Sequence, residues 1–289
     1  MVPSEIDVRL IIILFAALGL TDCASTRQYS RFAHVGSIYT AVLDRVLVVA
    51  GKVEIDANSE RLLQDDALSN RSLADYRAVS KVDVDNLKTI SVLRAHGRLL
   101  GRYFSLLNDL ATSDAPDRTK AAIDGTVVNL NQLGATLRGS ELMANAEAPG
   151  TAAKLVVAFG IHVVLREELG RRKETIEEEL KTQEVLLPAL AKAIETDVRM
   201  VNDLREERWV IEPLIAKAPI SNPDEWVTRR RTVLTAEGTV GELRSAAGAA
   251  RELRESFEDL VRGTLTLDRL NDVLTDLEAT LALIEVVNR

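Results

Sequence analysis

Apolar residues recur along this chain at intervals of three and four. Val35, Tyr39, Val42, Val46, Val49 and Val53 fall on one helical stripe, and Leu93, His96, Leu100, Tyr103, Leu107 and Leu110 on a second. Leu187, Leu190, Ile194, Val198, Val201 and Leu204 form a third stripe, and Leu243, Ala247, Ala250, Leu253, Phe257 and Leu260 a fourth. The most regular is the last, Leu267, Leu270, Leu274, Leu277, Leu281 and Ile284. Each is the seam of a helix packed against other helices. Stripes this regular predict near-parallel packing of long helices rather than steep crossings.

Polar punctuation sets the breaks. Ser113-Asp114-Ala115-Pro116-Asp117 reads as a stop followed by a new start, with proline tolerated in a first helical turn. Ala148-Pro149-Gly150-Thr151 is the clearest mid-chain break. In Ser221-Asn222-Pro223-Asp224-Glu225 a capping residue, a proline and two acids near the positive end of the dipole mark another start. Gly263-Thr264-Leu265-Thr266 separates the last two helices. Pro188 and Pro213 interrupt helical patterns, so each is expected to kink or restart its helix.

With only 15 glycines, 7 prolines and 4% aromatic residues, the composition leaves little room for a sheet. The fold expected is all-α, an elongated multi-helix bundle with long antiparallel helices, following an N-terminal signal segment. The expected organisation is a signal peptide over residues 1–22 and a helical domain over 23–289, with a subdivision conceivable near 149–150. The whole chain carries a net charge of −8. Without residues 1–22, Arg9 leaves the 36 basic residues and Glu5, Asp7 and Asp22 leave the 44 acidic ones, for a net of −6. That balance argues against a general nucleic-acid binder, which needs a basic face to displace counterions.

Cys23 changes the picture most. It is the only cysteine, and it follows the apolar run of residues 10–20 directly. In Leu20-Thr21-Asp22-Cys23-Ala24-Ser25 a leucine stands three residues before the cysteine and a small residue two before it. This resembles the lipobox of bacterial lipoproteins, in which the cysteine thiol takes a diacylglyceryl group and becomes the new N-terminus. Asp22 occupies a position usually held by Gly, Ala or Ser, and Glu5 and Asp7 offset Arg9 in a region that is usually basic. The competing readings are another export signal and an N-terminal helix of a cytoplasmic domain. Eleven apolar residues are too few to span a bilayer alone, which takes about 20.

Catalytic and metal-binding patterns are sparse. His34, His96 and His162 are far apart in sequence and none stands at a ligand spacing such as HExxH, so each is read as a hydrogen-bonded histidine in or near a core. Gly134-Ala-Thr-Leu-Arg-Gly139-Ser140 comes nearest to a phosphate-binding loop but lacks the lysine and a preceding strand. Glu167, Glu168, Glu174, Glu177, Glu178 and Glu179 interleave with Arg171, Arg172, Lys173 and Lys181, and are read as a solvated helix face laced by i,i+4 pairs. Arg229, Arg230 and Arg231 form a small basic cluster near a helix start, a candidate contact for lipid head groups or an acidic partner. Gly97, Gly101 and the run Ser245-Ala-Ala-Gly-Ala-Ala250 offer small side chains for close helix packing, or for self-association as a homo-oligomer. Residues 155–165 carry no formal charge and read as a buried helix, with a membrane-inserting segment as the sharper alternative.

Leu99-Leu-Gly-Arg-Tyr-Phe-Ser-Leu-Leu-Asn108, leading into Ser113-Asp-Ala-Pro116, is similar to segments of uncharacterised helical lipoproteins of proteobacteria, as is Cys23-Ala-Ser-Thr26. The resemblance implies a fold type and a location. Ala24 after the cysteine matches the outer-membrane sorting pattern of that group, and the acyl chains of a mature lipoprotein anchor it without a further membrane helix. The functional expectation is a lipid-anchored, periplasm-facing module that works by binding a protein partner of the envelope, with no catalysis and no cofactor. The alternatives are membrane insertion through residues 155–165 and an enzyme whose site is assembled from distant residues, with His96 and His162 its nominees.

Overall fold

The computed structural model describes residues 6–67, 72–112, 116–140, 143, 163–235 and 238–287, with side chains for most of them from Arg27 onward. The described residues form seven α-helices and contain no strand, so the protein is an all-α bundle. Helix α1 covers Ile6–Ala67, α2 Leu73–Thr112, α3 Pro116–Arg138 and α4 Val163–Glu206. A π-helical turn at Glu207–Ile211 and one α-turn at Glu212–Ile215 follow α4. Then come α5 at Pro223–Thr235, α6 at Gly238–Arg262 and α7 at Leu267–Val287.

The ends of these helices follow from side-chain chemistry. At the start of α2, Ser72 Oγ accepts the Asp75 N–H at 3.2 Å and donates to the Asp75 carboxylate at 2.5 Å, a reciprocal cap that satisfies an otherwise orphaned amide. Asn222 does the same for Glu225 ahead of Pro223. Helix α6 ends at Gly263, whose φ of 78° lies in the left-handed region that favours glycine. There the Thr264 N–H reaches back to the Asp259 carbonyl at 2.9 Å and that of Gly263 to Leu260 at 3.2 Å, closing a Schellman motif. Pro213 stands in the first turn of the restart after the π-turn, as expected. Pro188 does not restart its helix, because α4 runs through it.

Helix α1 is the axis of the bundle, in contact with α2, α4, α6 and α7. Helix α2 runs antiparallel to it, as the pairs Ser30–Asn108, Asp44–Arg94 and Asn58–Asp83 show. Helices α4 and α6 are likewise antiparallel, joined by Glu195–Arg244 and Glu184–Arg254. Helices α3 and α4 run parallel, with Lys120 near Glu167 and Arg138 near Glu178. One hydrophobic cluster extends from Tyr29 to Leu277 and draws on α1, α2, α3, α4, α6 and α7. It contains every residue of the stripe Leu243–Leu260 and, with His96 buried beside it, of the stripe Leu93–Leu110.

Phe32 sits at the crossing of three helices, edge-on to Phe104 of α2 at 5.6 Å and tilted against Phe257 of α6 at 5.7 Å. Each such ring contributes about 1.5–3 kcal/mol by burial, and the paired geometry about 0.5–1.5 more. Small residues make the close approach of α1 and α2 feasible. A Cβ at Gly36 would meet the Phe104 ring at 2.5 Å, and one at Gly101 would meet Thr40 Oγ1 at 2.5 Å. Gly97, packed on Leu43, belongs to the same seam, so the Gly97/Gly101 pair serves packing within the chain. The stretch Arg27–Gln64 contains an 18-residue window with a mean hydropathy of 1.4, apolar enough by length and composition to cross a membrane, and 56% of that window is buried inside the bundle.

Candidate functional site

Four polar side chains from three helices meet inside the apolar core. His96 of α2 lies between Glu179 and Gln183 of α4, and Arg138 approaches from the end of α3. His96 Nε2 is 2.8 Å from Glu179 Oε2, and Gln183 Nε2 is 2.5 Å from His96 Nδ1. The amide therefore donates to Nδ1, and the Nε2–H donates to the carboxylate. Arg138 Nη1 donates to Glu179 Oε1 at 3.2 Å and to Thr182 Oγ1 at 3.1 Å. The side chains of His96 and Glu179 are wholly buried, so the expectation of a hydrogen-bonded core histidine holds for His96. An imidazole oriented by a carboxylate is the geometry of a general base. Here it is sealed from solvent, and its chemistry is that of a clasp between α2, α3 and α4. Gln183 Oε1 is left buried without a partner among the described residues.

The acid-rich stretch of α4 corrects the sequence reading. It is not a uniformly solvated face, because Glu168 and Glu179 turn into the bundle, 1% and 0% exposed. Glu168 is held there by Arg171 and Arg172, and both guanidiniums also reach Asp124 of α3. Glu177 is half-buried, its Oε1 lacks a hydrogen bond, and desolvation pushes its carboxyl above the usual range. Tyr39 and Tyr103 bury hydroxyls without partners among the described residues, and burial drives both phenols above the ordinary tyrosine range. Across the α1–α2 seam, hydrogen bonds from Arg94 hold Asp44 below the ordinary carboxylate range.

At the far end of α1, Glu60 is 4% exposed and accepts from Arg205 Nε at 2.9 Å and Arg208 Nη2 at 2.6 Å. Trp209, in the π-turn, is faced by Arg205, Arg208 and Arg229 at 5.0, 5.3 and 5.7 Å from its ring centroid. Trp226 Nε1 donates to the Val210 carbonyl at 3.1 Å and ties α5 to that turn. Arg229, Arg230 and Arg231 are all exposed on α5, with Arg229 paired to Glu225 one turn back. Nearby Leu214 and Ile215 are 59% and 72% exposed.

A polar cleft of about 440 Å³ opens at the opposite end, between α1 and α7, lined by Arg27, Ser30, Arg31, His34, Leu267 and Asn271. Arg31 donates through Nε and Nη2 to one oxygen, Asn271 Oδ1, at 3.0 and 2.7 Å. His34 is exposed, unlike His96. Cys23 lies within α1, four residues before Arg27. The side chain of Cys23, His162 and the segment 155–162 lie outside the described residues, while Leu165 is buried. Among the described residues no three His, Cys, Asp or Glu side chains gather closely enough to hold a metal ion.

Sequence periodicity did not find the His96 clasp, because it scores Glu179 and Gln183 as polar positions and gives no hint of Arg138. Gly134 was the one available sign. A Cβ there would overlap the Glu179 carboxylate, so the glycine marks the place where α3 and α4 close over the buried charge. The class defined by this architecture is an all-α bundle stapled by buried polar clusters. Comparison with known protein families, characterised proteins and solved structures finds no match.

Proposed function

We propose that this chain is a lipid-anchored protein of the bacterial cell envelope, a non-catalytic binding or scaffold module held by acylated Cys23 in the outer membrane and facing the periplasm. The observation that carries the reading is the sequence Leu20-Thr21-Asp22-Cys23 at the close of the eleven-residue apolar run 10–20. The fold is compatible with it. Tyr29, the first core residue among the described side chains, stands six residues beyond Cys23, about 9 Å along a helix. The protein partner would meet the exposed surface, with the Arg229–Arg231 end of the bundle farthest along α1 from the anchor.

The test compares intact mass and membrane fractionation of the wild type with Cys23→Ala in a Gram-negative host. Loss of residues 1–22, gain of acyl mass and pelleting with outer membrane, all abolished by the substitution, are the expected results. A wild-type protein that keeps residues 1–22 and stays soluble removes the anchor and the envelope partner together.

A further inference from the structure

The cleft between α1 and α7 differs electrostatically from the rest of the bundle. Elsewhere the partly buried arginines are matched with carboxylates: Arg94 with Asp44, Arg254 with Glu184, Arg205 with Glu60. In the cleft the partner of Arg31 is the neutral amide of Asn271, and no acidic residue is among the described residues lining it. Two whole positive charges therefore face the same 440 Å³ space in a protein whose net charge is −8. Arg27, Arg31 and His34 stand at i, i+4 and i+7 on one face of α1, and all three line the cleft. Ser30 adds a hydroxyl, and Leu267 an apolar wall.

We propose that this cleft binds a phosphate group. Planar guanidinium groups match the oxygens of a phosphate in geometry and charge, and two of them on successive turns suit one tetrahedral anion. The size of the cleft leaves room for a glycerol-sized substituent against Leu267. The source of the phosphate rests on the proposed anchor, although the chemistry does not. From Cys23 to Arg27 is about 6 Å along the helix, and the polar layer of a bilayer face is about 5–7 Å deep. An acylated Cys23 would thus hold Arg27 among lipid phosphates, and a phospholipid headgroup would be the ligand. Free phosphate is the other source of the same chemistry.

The experiment uses the full chain in a nonionic detergent, with the state of Cys23 read from its intact mass. Calorimetric titrations with glycerophosphoglycerol and with inorganic phosphate are compared for wild type, Arg27→Gln/Arg31→Gln and the remote control Arg230→Gln. One-to-one binding of glycerophosphoglycerol, weakened at least tenfold in the double variant and unchanged in the control, is expected for a headgroup site. Binding of inorganic phosphate alone, with the same dependence on the two arginines, supports the site with a soluble source. Absence of saturable binding by either probe overturns the proposal, as does a double variant that binds like wild type. Arg27→Gln alone removes an exposed side chain outside the core, and a severalfold loss is expected from it even where the double variant fails to fold. Acylated protein that binds neither probe refutes the cleft and leaves the anchor standing. Unacylated protein that binds does the reverse.

Discussion

Gly134 occupies the interior of α3, where replacing glycine by alanine ordinarily adds about 0.5–1 kcal/mol to stability. Here the sign reverses, because the new methyl group displaces the Glu179 carboxylate from His96 and Arg138, and both His96 and Glu179 are wholly buried. Gly134→Ala is expected to lose about 2 kcal/mol in urea unfolding, a buried polar partner being worth about 1–3. In the Glu179→Ala background the same substitution is expected to cost little, and that non-additivity separates the clasp from a general effect on α3. At this scale the sequence was half legible. His96 was readable as a core histidine because it falls inside an apolar stripe. Glu168 and Glu179 were not, because a buried acid is recognisable only by its partners. Those of Glu179 stand 41 and 83 residues away at Arg138 and His96.

Elements were more legible than residues. The stripes and the breaks at Pro116, Pro223 and Gly263 are local properties, encoded within a turn or two, and the helices begin and end where those signals stand. Pro188 is the exception. It removes the N–H that would bond the Glu184 carbonyl, yet the Leu186, Leu187, Leu190 and Ala191 side chains around it are buried and carry the helix through. Packing outweighs a proline cost of about 3 kcal/mol at such a site. Its own ring is exposed, so nothing is lost from the core on replacing it. Pro188→Ala is expected to stabilise the protein by about 1–3 kcal/mol, seen as a raised thermal midpoint with unchanged helix content.

For the whole molecule, one hydrophobic cluster spans six of the seven helices, and α5 is the helix outside it. From Pro223 to Thr232 every residue of α5 is exposed except Trp226, and Val233 alone is buried. The bundle is therefore expected to unfold in a single cooperative transition, with amide hydrogens of α5 exchanging at least tenfold faster than those of residues 32–50 in α1. Matching unfolding rates for the two segments would show that α5 belongs to the cooperative unit. The arrangement of helices was not readable from periodicity, because a stripe states that a face is buried and not which neighbour covers it. The place of α1 at the axis has a mechanical consequence. A pull on the chain ahead of Arg27 acts along that axis, and α2, α4, α6 and α7 grip it side-on, so the load falls in shear on many contacts at once. A pull on the C-terminal end meets α7 at the edge of the assembly and can peel it away turn by turn. The fold therefore resists load applied at its N-terminal end better than load applied at its C-terminal end.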